Sequence, residues 1–250
     1  MRTRAEGSGS EFVVHDVNRH TRIRLSASGT RPVWTPDGQN ITYSQLGSLY
    51  SVQADDGRKP ELLLAPDAPD ASLFPLAWSR EGVLVYSRAS PGTNRDVYTW
   101  RIGETPQLFV ASARDERSAM LSPDGHWMVY AALEPGRDEQ IYVQRYPDAS
   151  ERTVVSPGGG REPVWSPTGE EIFYRSIDGR RMLAVAVRTT PSISVGPPRT
   201  LFEGHFREGN FWSDYDVTPD GKRFLMVELA TPPQPRIHVV LGLIGTLATH

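Results

Sequence analysis

The 250-residue chain contains no cysteine, which excludes disulfides, thiolate metal ligands and cysteine nucleophiles together. It also lacks a surplus of positive charge, since 27 lysines and arginines face 30 aspartates and glutamates. A broad basic field of the kind that holds nucleic acid is therefore absent, and we expect no nucleic-acid partner.

Long hydrophobic runs are missing as well. No apolar run reaches the roughly 20 residues that a membrane-spanning helix needs, so we expect no membrane insertion. The opening residues, MRTRAEGSGSEF, have no apolar middle of the kind found in secretory signals. Their Gly-Ser-Gly-Ser run is typical of a flexible linker or cloning scar. We therefore assign residues 1–12 to a linker and residues 13–247 to a single folded domain.

What the chain does contain is one phrase in five copies. The stretch REPVWSPTGEEIFYRS (161–176) matches RPVWTPDGQNITYSQ (31–45), and fainter copies begin near Pro75, Ser118 and Asp214. The copies are separated by about 44 residues until a longer last interval, a period typical of repeat architectures. Their anchor positions are Trp34, Trp78, Leu121, Trp165 and Val217.

Each copy predicts a strand, a tight turn and a second strand. Proline and glycine in Pro-Asp-Gly suit a tight turn, and the residues that follow alternate apolar and polar with the period of a β-strand. Two more short strands follow most copies, for example SLYSVQA and PELLL. Four antiparallel strands per repeat, without helical periodicity, predict an all-β fold: a β-propeller of four-stranded blades.

The number of blades is open at this stage. Five blades begin at the five copies, while FVVHDV and TRIRLSA (12–27) have the pattern of the last two strands of a further blade. If TRIRL completes the last blade, the ring closes with five blades and has no exposed edge. Otherwise the chain is most of a six-bladed ring. We expect a monomer unless the ring is incomplete.

The phrase PVWSPTG with its following strand resembles the WD-like repeats of TolB, the tricorn protease and peptidase-associated propellers. The chain resembles more strongly the C-terminal propeller region of bacterial serine/threonine protein kinases, in Gly158 to Val187, Arg199 to Phe206 and Tyr215 to Val227. The second copy departs from the pattern with Ser79-Arg80-Glu81-Gly82, and the third replaces the core tryptophan with Leu121. The resemblance implies a sensor propeller from a membrane-tethered bacterial protein, with this region outside the cytoplasm. No kinase motif and no Gly-x-Ser-x-Gly nucleophile elbow is present in the chain.

Charged residues recur where each first strand begins. Aligning the copies places Arg31, Glu162 and Asp214 at one level, and Arg117 and Arg161 one step outside it. In a propeller this level is the mouth of the central channel, so we predict that these five residues bind a ligand there. The alternative is that the charges are solvated or paired with one another.

The loop before the last copy, EGHFREGNFWSDYD (203–216), carries a histidine and several carboxylates. With Glu162, the loop residues His205 and Asp214 form a candidate site for a divalent cation such as Ca²⁺, Zn²⁺ or Mn²⁺, which would activate water. Their spacing matches no strict metal-ligand motif. An ordered loop with a surface histidine is the alternative.

Three functions follow from these observations. The first is a non-catalytic recognition or sensor propeller that binds a protein, a peptide or a small ligand at the channel mouth. The second is a metal-dependent hydrolase of phosphotriesters, esters or lactones with its metal in the central funnel. The third is an inert scaffold. Turn and core residues specify the fold but not the activity, so the sequence favours the first function without excluding the others.

Overall fold

The structure is a computed structural model. It describes residues 2–3, 10–16, 19–55, 59–91, 94–133, 136, 138–207, 213–229 and 235–241. All regular elements among these residues are β-strands, and this part of the chain has no helix suited to crossing a membrane. The chain forms two compact units, residues 1–112 and 113–250, which we describe in turn.

Unit 1 contains ten strands. They are β1 (Arg2–Thr3), β2 (Ser10–Asp16), β3 (Thr21–Trp34), β4 (Asn40–Gln45), β5 (Ser48–Gln53), β6 (Glu61–Leu64), β7 (Ser72–Trp78), β8 (Leu84–Ala89), β9 (Asp96–Trp100) and β10 (Gln107–Val110).

These strands form two antiparallel sheets, one with the order β1-β2-β3-β4-β5-β6 and one with the order β10-β9-β8-β7. The long strand β3 pairs with β2 over its first part and with β4 from Thr30 onward. Two hairpins that look separate in the sequence therefore share one strand. Strand β2 already begins at Ser10, and Phe12 is fully buried against Tyr43 with ring centroids 4.8 Å apart. The segment assigned to a linker thus ends in residues that belong to the sheet.

Unit 2 contains twelve strands. They are β11 (Asp115–Leu121), β12 (Trp127–Leu133), β13 (Gln140–Arg145), β14 (Arg152–Val154), β15 (Arg161–Trp165), β16 (Glu171–Arg175), β17 (Arg181–Arg188), β18 (Ser194–Val195), β19 (Arg199–Glu203), β20 (Tyr215–Val217), β21 (Arg223–Leu229) and β22 (Pro235–Leu241).

The strands of unit 2 form three antiparallel sheets. The first has the order β11-β12-β13-β14, the second has β15-β16-β17 with both β18 and β19 on β17, and the third has β20-β21-β22. The short strand β18 was not predicted. The all-β, antiparallel prediction is confirmed, while the blade number and the closure of a ring stay predictions.

The repeated Ser/Thr-Pro-Asp-Gly phrase builds the turn between the first two strands of a sheet. The Ser122 hydroxyl donates to Asp124 (2.5 Å) and accepts from the backbone N–H of Trp127 (3.0 Å). The Asp124 carboxylate accepts from the N–H of His126 (3.1 Å), so two side chains satisfy the donors of the turn. The same hydrogen bonds recur at Thr35 with Asp37 and at Thr218 with Asp220.

The divergent second copy has a shorter version of this turn. The Ser79 hydroxyl accepts from the N–H of Val83, four residues later, where the other copies use the fifth residue. No aspartate is present to complete the network, because Glu81 stands in its place. The second copy therefore differs from the others in having a shorter turn, and the same kind of strand follows the turn.

Apolar faces of neighbouring sheets within each unit pack together. One core contains Trp127, Val143, Trp165 and Val185, and it joins the first two sheets of unit 2. Within three of the sheets, tyrosines on neighbouring strands also stack as directly opposed cross-strand pairs, as the repeated strand pattern leads one to expect. These pairs are Tyr43–Tyr50, Tyr86–Tyr98 and Tyr130–Tyr142, with centroids 5.5 to 6.0 Å apart.

Candidate functional site

The first strands of four of the repeat copies share an irregularity at the positions that the sequence alignment equates. Arg31, Ser118 and Glu162 have φ of 55°, 49° and 57°, a left-handed conformation that non-glycine residues rarely adopt. Register shifts occur at each of these positions, and in β7 between Pro75 and Ala77. Such bulges redirect side chains, and strained backbone of this kind concentrates at functional sites.

Glu162 and Arg175 form a buried ion pair beside one of these bulges. The Arg175 guanidinium lies 3.4 Å from the Glu162 carboxylate, and the two side chains are 1 % and 2 % exposed. The second carboxylate oxygen of Glu162 accepts from the backbone N–H of Asp214 (3.1 Å), and its carbonyl accepts from the Tyr215 hydroxyl (2.8 Å). Burial, with the Glu162 charge as the second cause, raises the pKa of Tyr215 well above its ordinary value. Glu162 therefore ties β15 to the start of β20.

Arg175 extends this connection to the segment that follows β19. Its guanidinium donates to the carbonyls of Arg207 (2.6 Å), Phe206 (3.4 Å) and Gly179. The Arg207 side chain in turn lies 3.2 Å from the carboxylate of Asp214. The described parts of the loop 203–216 are thereby fastened at both ends to the second sheet of unit 2. Residues 208–212 of this loop lie outside the described residues.

A second group of charges lies where β11 and β15 begin. Arg117 donates two hydrogen bonds to Asp115, at 2.9 and 2.6 Å, and Arg161 donates to the carbonyl of Ile177 (2.5 Å). Glu139 lies near enough to both arginines for their charges to act on it. Burial raises the pKa of Glu139 and Asp115 adds to the shift, while Arg117 and Arg161 oppose it.

Of the five residues predicted at the mouth, four lie in unit 2: Arg117, Arg161, Glu162 and Asp214. The charges of Arg117 and Arg161 both act on Glu139, Glu162 is the chain neighbour of Arg161, and the Asp214 N–H donates to Glu162. Arg31 lies in unit 1, where its guanidinium stands 4.0 Å from the ring centroid of Phe74, a cation–π contact. Many of the charges are partnered, as the alternative interpretation of the sequence allowed.

The predicted metal ligands have different surroundings. His205 is exposed, Glu162 is buried against Arg175, and Asp214 faces Arg207. Within the described part of the chain, no three or more histidine, aspartate or glutamate side chains are grouped so that they could hold a metal ion. The metal site at His205, Glu162 and Asp214 stays a prediction.

Arg175 was not among the predicted site residues, although the repeats contain a signal for it. The equivalent position carries Ser44, Ser87, Ala131 and Val227 in the other four copies, and Arg175 is the charged exception. The acidic residue nearest to it in the first strand of the same copy is Glu162, with which it forms the buried ion pair. Comparing the copies position by position on both strands would have indicated the pair.

Among solved structures, the chain is similar in fold to TolB-like β-propellers. The chain is similar to TolB from Acinetobacter baumannii, with 16 % identity and a TM-score of 0.72 over 93 % of this chain and 57 % of that one. It is also similar to a protein assigned as TolB from Agrobacterium tumefaciens, with 18 % identity and a TM-score of 0.71 over 96 % and 88 % of the two chains.

The fold also occurs in an enzyme. An oligogalacturonate lyase in complex with manganese matches at 12 % identity and a TM-score of 0.60, over 94 % of this chain and 74 % of the lyase. No protein-family model matches the chain, and no curated protein matches it in sequence. At these identities the similarity shows the fold alone.

Proposed function

We propose that the chain is a recognition module that binds a protein or peptide at the end of unit 2 where β11, β15 and β20 begin. The carrying observation is a group of charges at this end: Asp115 bonded to Arg117, Glu139 within the electrostatic influence of Arg117 and Arg161, and Asp214 bonded to Glu162, the chain neighbour of Arg161. Convergent polar groups give a binding site its orientation and specificity.

The buried pair below this surface supports the proposal. A receptor that must become ordered before it binds loses affinity, and a rigid support beneath the binding surface reduces that loss. Glu162 and Arg175 supply such a support, because their hydrogen bonds fix the backbone of Asp214, Phe206 and Arg207. Charges at the rim then govern which partner binds and how fast it associates.

The segments that resemble kinase-associated propellers indicate a biological role for the chain. The segment Gly158 to Val187 that carries the resemblance includes Arg161, Glu162 and Arg175. We therefore take the role to be that of a sensor region, whose ligand changes the state of a longer protein. This context rests on the resemblance, and the binding site rests on the contacts in unit 2.

Selection of peptides from a random display library on the immobilised chain tests the proposal. Selected peptides should bind at least tenfold more weakly to Arg117→Gln and Arg161→Gln variants, because each substitution removes a charge-assisted contact. Arg199→Gln is the matched control, since Arg199 is an exposed arginine of the same unit paired with Glu171. Peptides that bind all three variants equally, or a selection that yields no binder, would contradict the proposal.

A further inference from the structure

A cleft of about 270 Å³ lies in unit 2 at the opposite end of β11 and β15 from the proposed peptide site. The turn after β11, the turn after β15 and the end of β17 form its walls. Its lining includes Asp124, Glu170, Val187, Arg188, Thr189 and Thr190. At about 3.3 Å per strand residue the cleft is roughly 20 Å from Arg117, so it is a separate site.

The charges of the cleft are arranged in an unusual way. Glu170 and Arg188 both line it and both are exposed. The Val187 N–H donates to the Glu170 carbonyl (2.7 Å), which places the turn that carries Glu170 beside the end of β17 that carries Arg188. Within the described part of the chain, however, neither side chain has an ion-pair partner within 4.0 Å, not even the other. A negative and a positive group therefore face one cleft while remaining apart.

This separation suits a ligand that carries both charges itself. An ammonium group matches the carboxylate of Glu170, and a carboxylate matches the planar fork of Arg188. The hydroxyls of Thr189 and Thr190 add neutral hydrogen-bonding groups, and the buried Val187 is an apolar patch in the wall. A purely cationic or purely anionic ligand would leave one charge of the cleft without a counterpart.

The size of the cleft limits the ligand further. Its volume of about 270 Å³ lies just below the range of about 300–1,000 Å³ that holds drug-sized ligands, so the cleft suits a smaller molecule. A free amino acid is a molecule of this smaller class. We propose that this cleft binds a free α-amino acid, with its ammonium group on Glu170 and its carboxylate on Arg188.

Calorimetric titration of the whole chain at neutral pH with L-leucine, L-threonine and L-glutamine tests the proposal. At least one amino acid should bind, and the matching N-acetylated acid and decarboxylated amine should each bind at least tenfold more weakly. Glu170→Gln and Arg188→Gln should each weaken binding at least tenfold. Both residues are exposed, so these variants should fold.

Two control variants locate the effect. Glu171→Gln changes the same charge one residue away, at a side chain paired with Arg199, and should leave amino-acid binding unchanged. Arg117→Gln, in the proposed peptide site, should also leave it unchanged. The proposal is overturned if no amino acid binds, if the amine or the N-acetylated acid binds as tightly as its parent, or if Glu170→Gln and Arg188→Gln have no effect.

Discussion

Arg175 lies 3.4 Å from Glu162, and both side chains are almost fully buried. Taking two charges out of water costs several kcal/mol for each ion, and their attraction offsets this cost only when further hydrogen bonds satisfy them. Here the additional partners are backbone groups: the carbonyls of Phe206 and Arg207 and the N–H of Asp214. The pair therefore links three segments of unit 2.

Removing either charge of this pair should destabilise the protein strongly. Arg175→Met leaves the Glu162 carboxylate buried without its cation, and Glu162→Gln does the converse to Arg175. We expect each to lower the free energy of unfolding by about 3–5 kcal/mol. Urea unfolding followed by tryptophan fluorescence measures the loss.

The exposed pair of Arg199 and Glu171 in the same unit is the control. Its atoms are closer, 2.6 Å apart, but both side chains are partly exposed to solvent, so Glu171→Gln should cost no more than about 1 kcal/mol. The double variant Glu162→Gln with Arg175→Met should be more stable than the sum of the single losses predicts. Equal losses at both pairs would refute the structural role of Glu162 and Arg175.

Much of the fold could be predicted because the repeat encodes it locally. The Pro-Asp-Gly turns and the alternation of residues such as Tyr130 in each second strand follow from rules that act within ten residues. The pairing of one strand, β3, with two hairpins could not be predicted, because it depends on where β2 lies. The contact between Arg175 and Arg207 was also missed, because the two residues are 32 positions apart and meet through the carbonyl of Arg207.

The turn between β4 and β5 offers a stabilising substitution. Leu46 and Gly47 have φ of 50° and 80°, the two positive values of a type I′ turn, for which Asn-Gly is the preferred pair. Leu46 is strained there and 94 % exposed. Leu46→Asn should therefore raise stability by about 1 kcal/mol, measured as a higher thermal midpoint. Leu46→Val should lower the midpoint, since a β-branched residue tolerates positive φ least; a Val variant as stable as the Asn variant would contradict this account.

Acid should destabilise the protein through the aspartates of the repeated turns. Hydrogen bonds from Thr35 and Thr218, and then from backbone N–H groups, hold the pKa of Asp37 and of Asp220 below the ordinary value of 3.8. A lowered folded-state pKa gives stability that is complete above the unfolded-state pKa and is lost as the pH falls through the folded-state pKa. The urea concentration at the unfolding midpoint should therefore decrease as the pH drops below about 4. The decrease should be less steep in the double variant Asp37→Asn with Asp220→Asn, because asparagine keeps the hydrogen-bond acceptor but cannot ionise. An unchanged slope in that variant would show that other groups govern the acid limit.

Divalent cations test the metal hypothesis directly. The Glu162 and Asp214 carboxylates already face Arg175 and Arg207, so Ca²⁺, Zn²⁺ and Mn²⁺ should produce no thermal stabilisation that depends on His205. Thermal midpoints of the parent chain and of His205→Ala measure this, with the exposed His126→Ala as the matched histidine control. Stabilisation lost only in His205→Ala, together with chelator-sensitive hydrolysis of an ester, a lactone or a phosphotriester, would establish the hydrolase instead.

Two equivalent tryptophans differ in one hydrogen bond. The Trp78 indole N–H donates to the hydroxyl of Thr42, 36 residues earlier (3.0 Å). The residue 36 positions before Trp165 is Val129, which lies in the same buried core, and the Trp165 indole N–H has no hydrogen-bond partner within the described part of the chain. The loss of the hydroxyl in this copy explains the unsatisfied donor.

Val129→Thr should restore the missing bond. A threonine placed at a buried valine normally costs about 1–3 kcal/mol, because the hydroxyl loses its water without gaining a partner. At position 129 the hydroxyl meets the indole N–H of Trp165, so we expect the free energy of unfolding to stay within about 1 kcal/mol of the parent chain. Val143→Thr, at another fully buried valine of the same core, is the control and should show the full cost.

Urea unfolding measures the stability of both variants. The indole proton signal of Trp165 should move downfield only in Val129→Thr. Equal losses of stability with an unmoved signal would mean that the two repeats are not equivalent at this position.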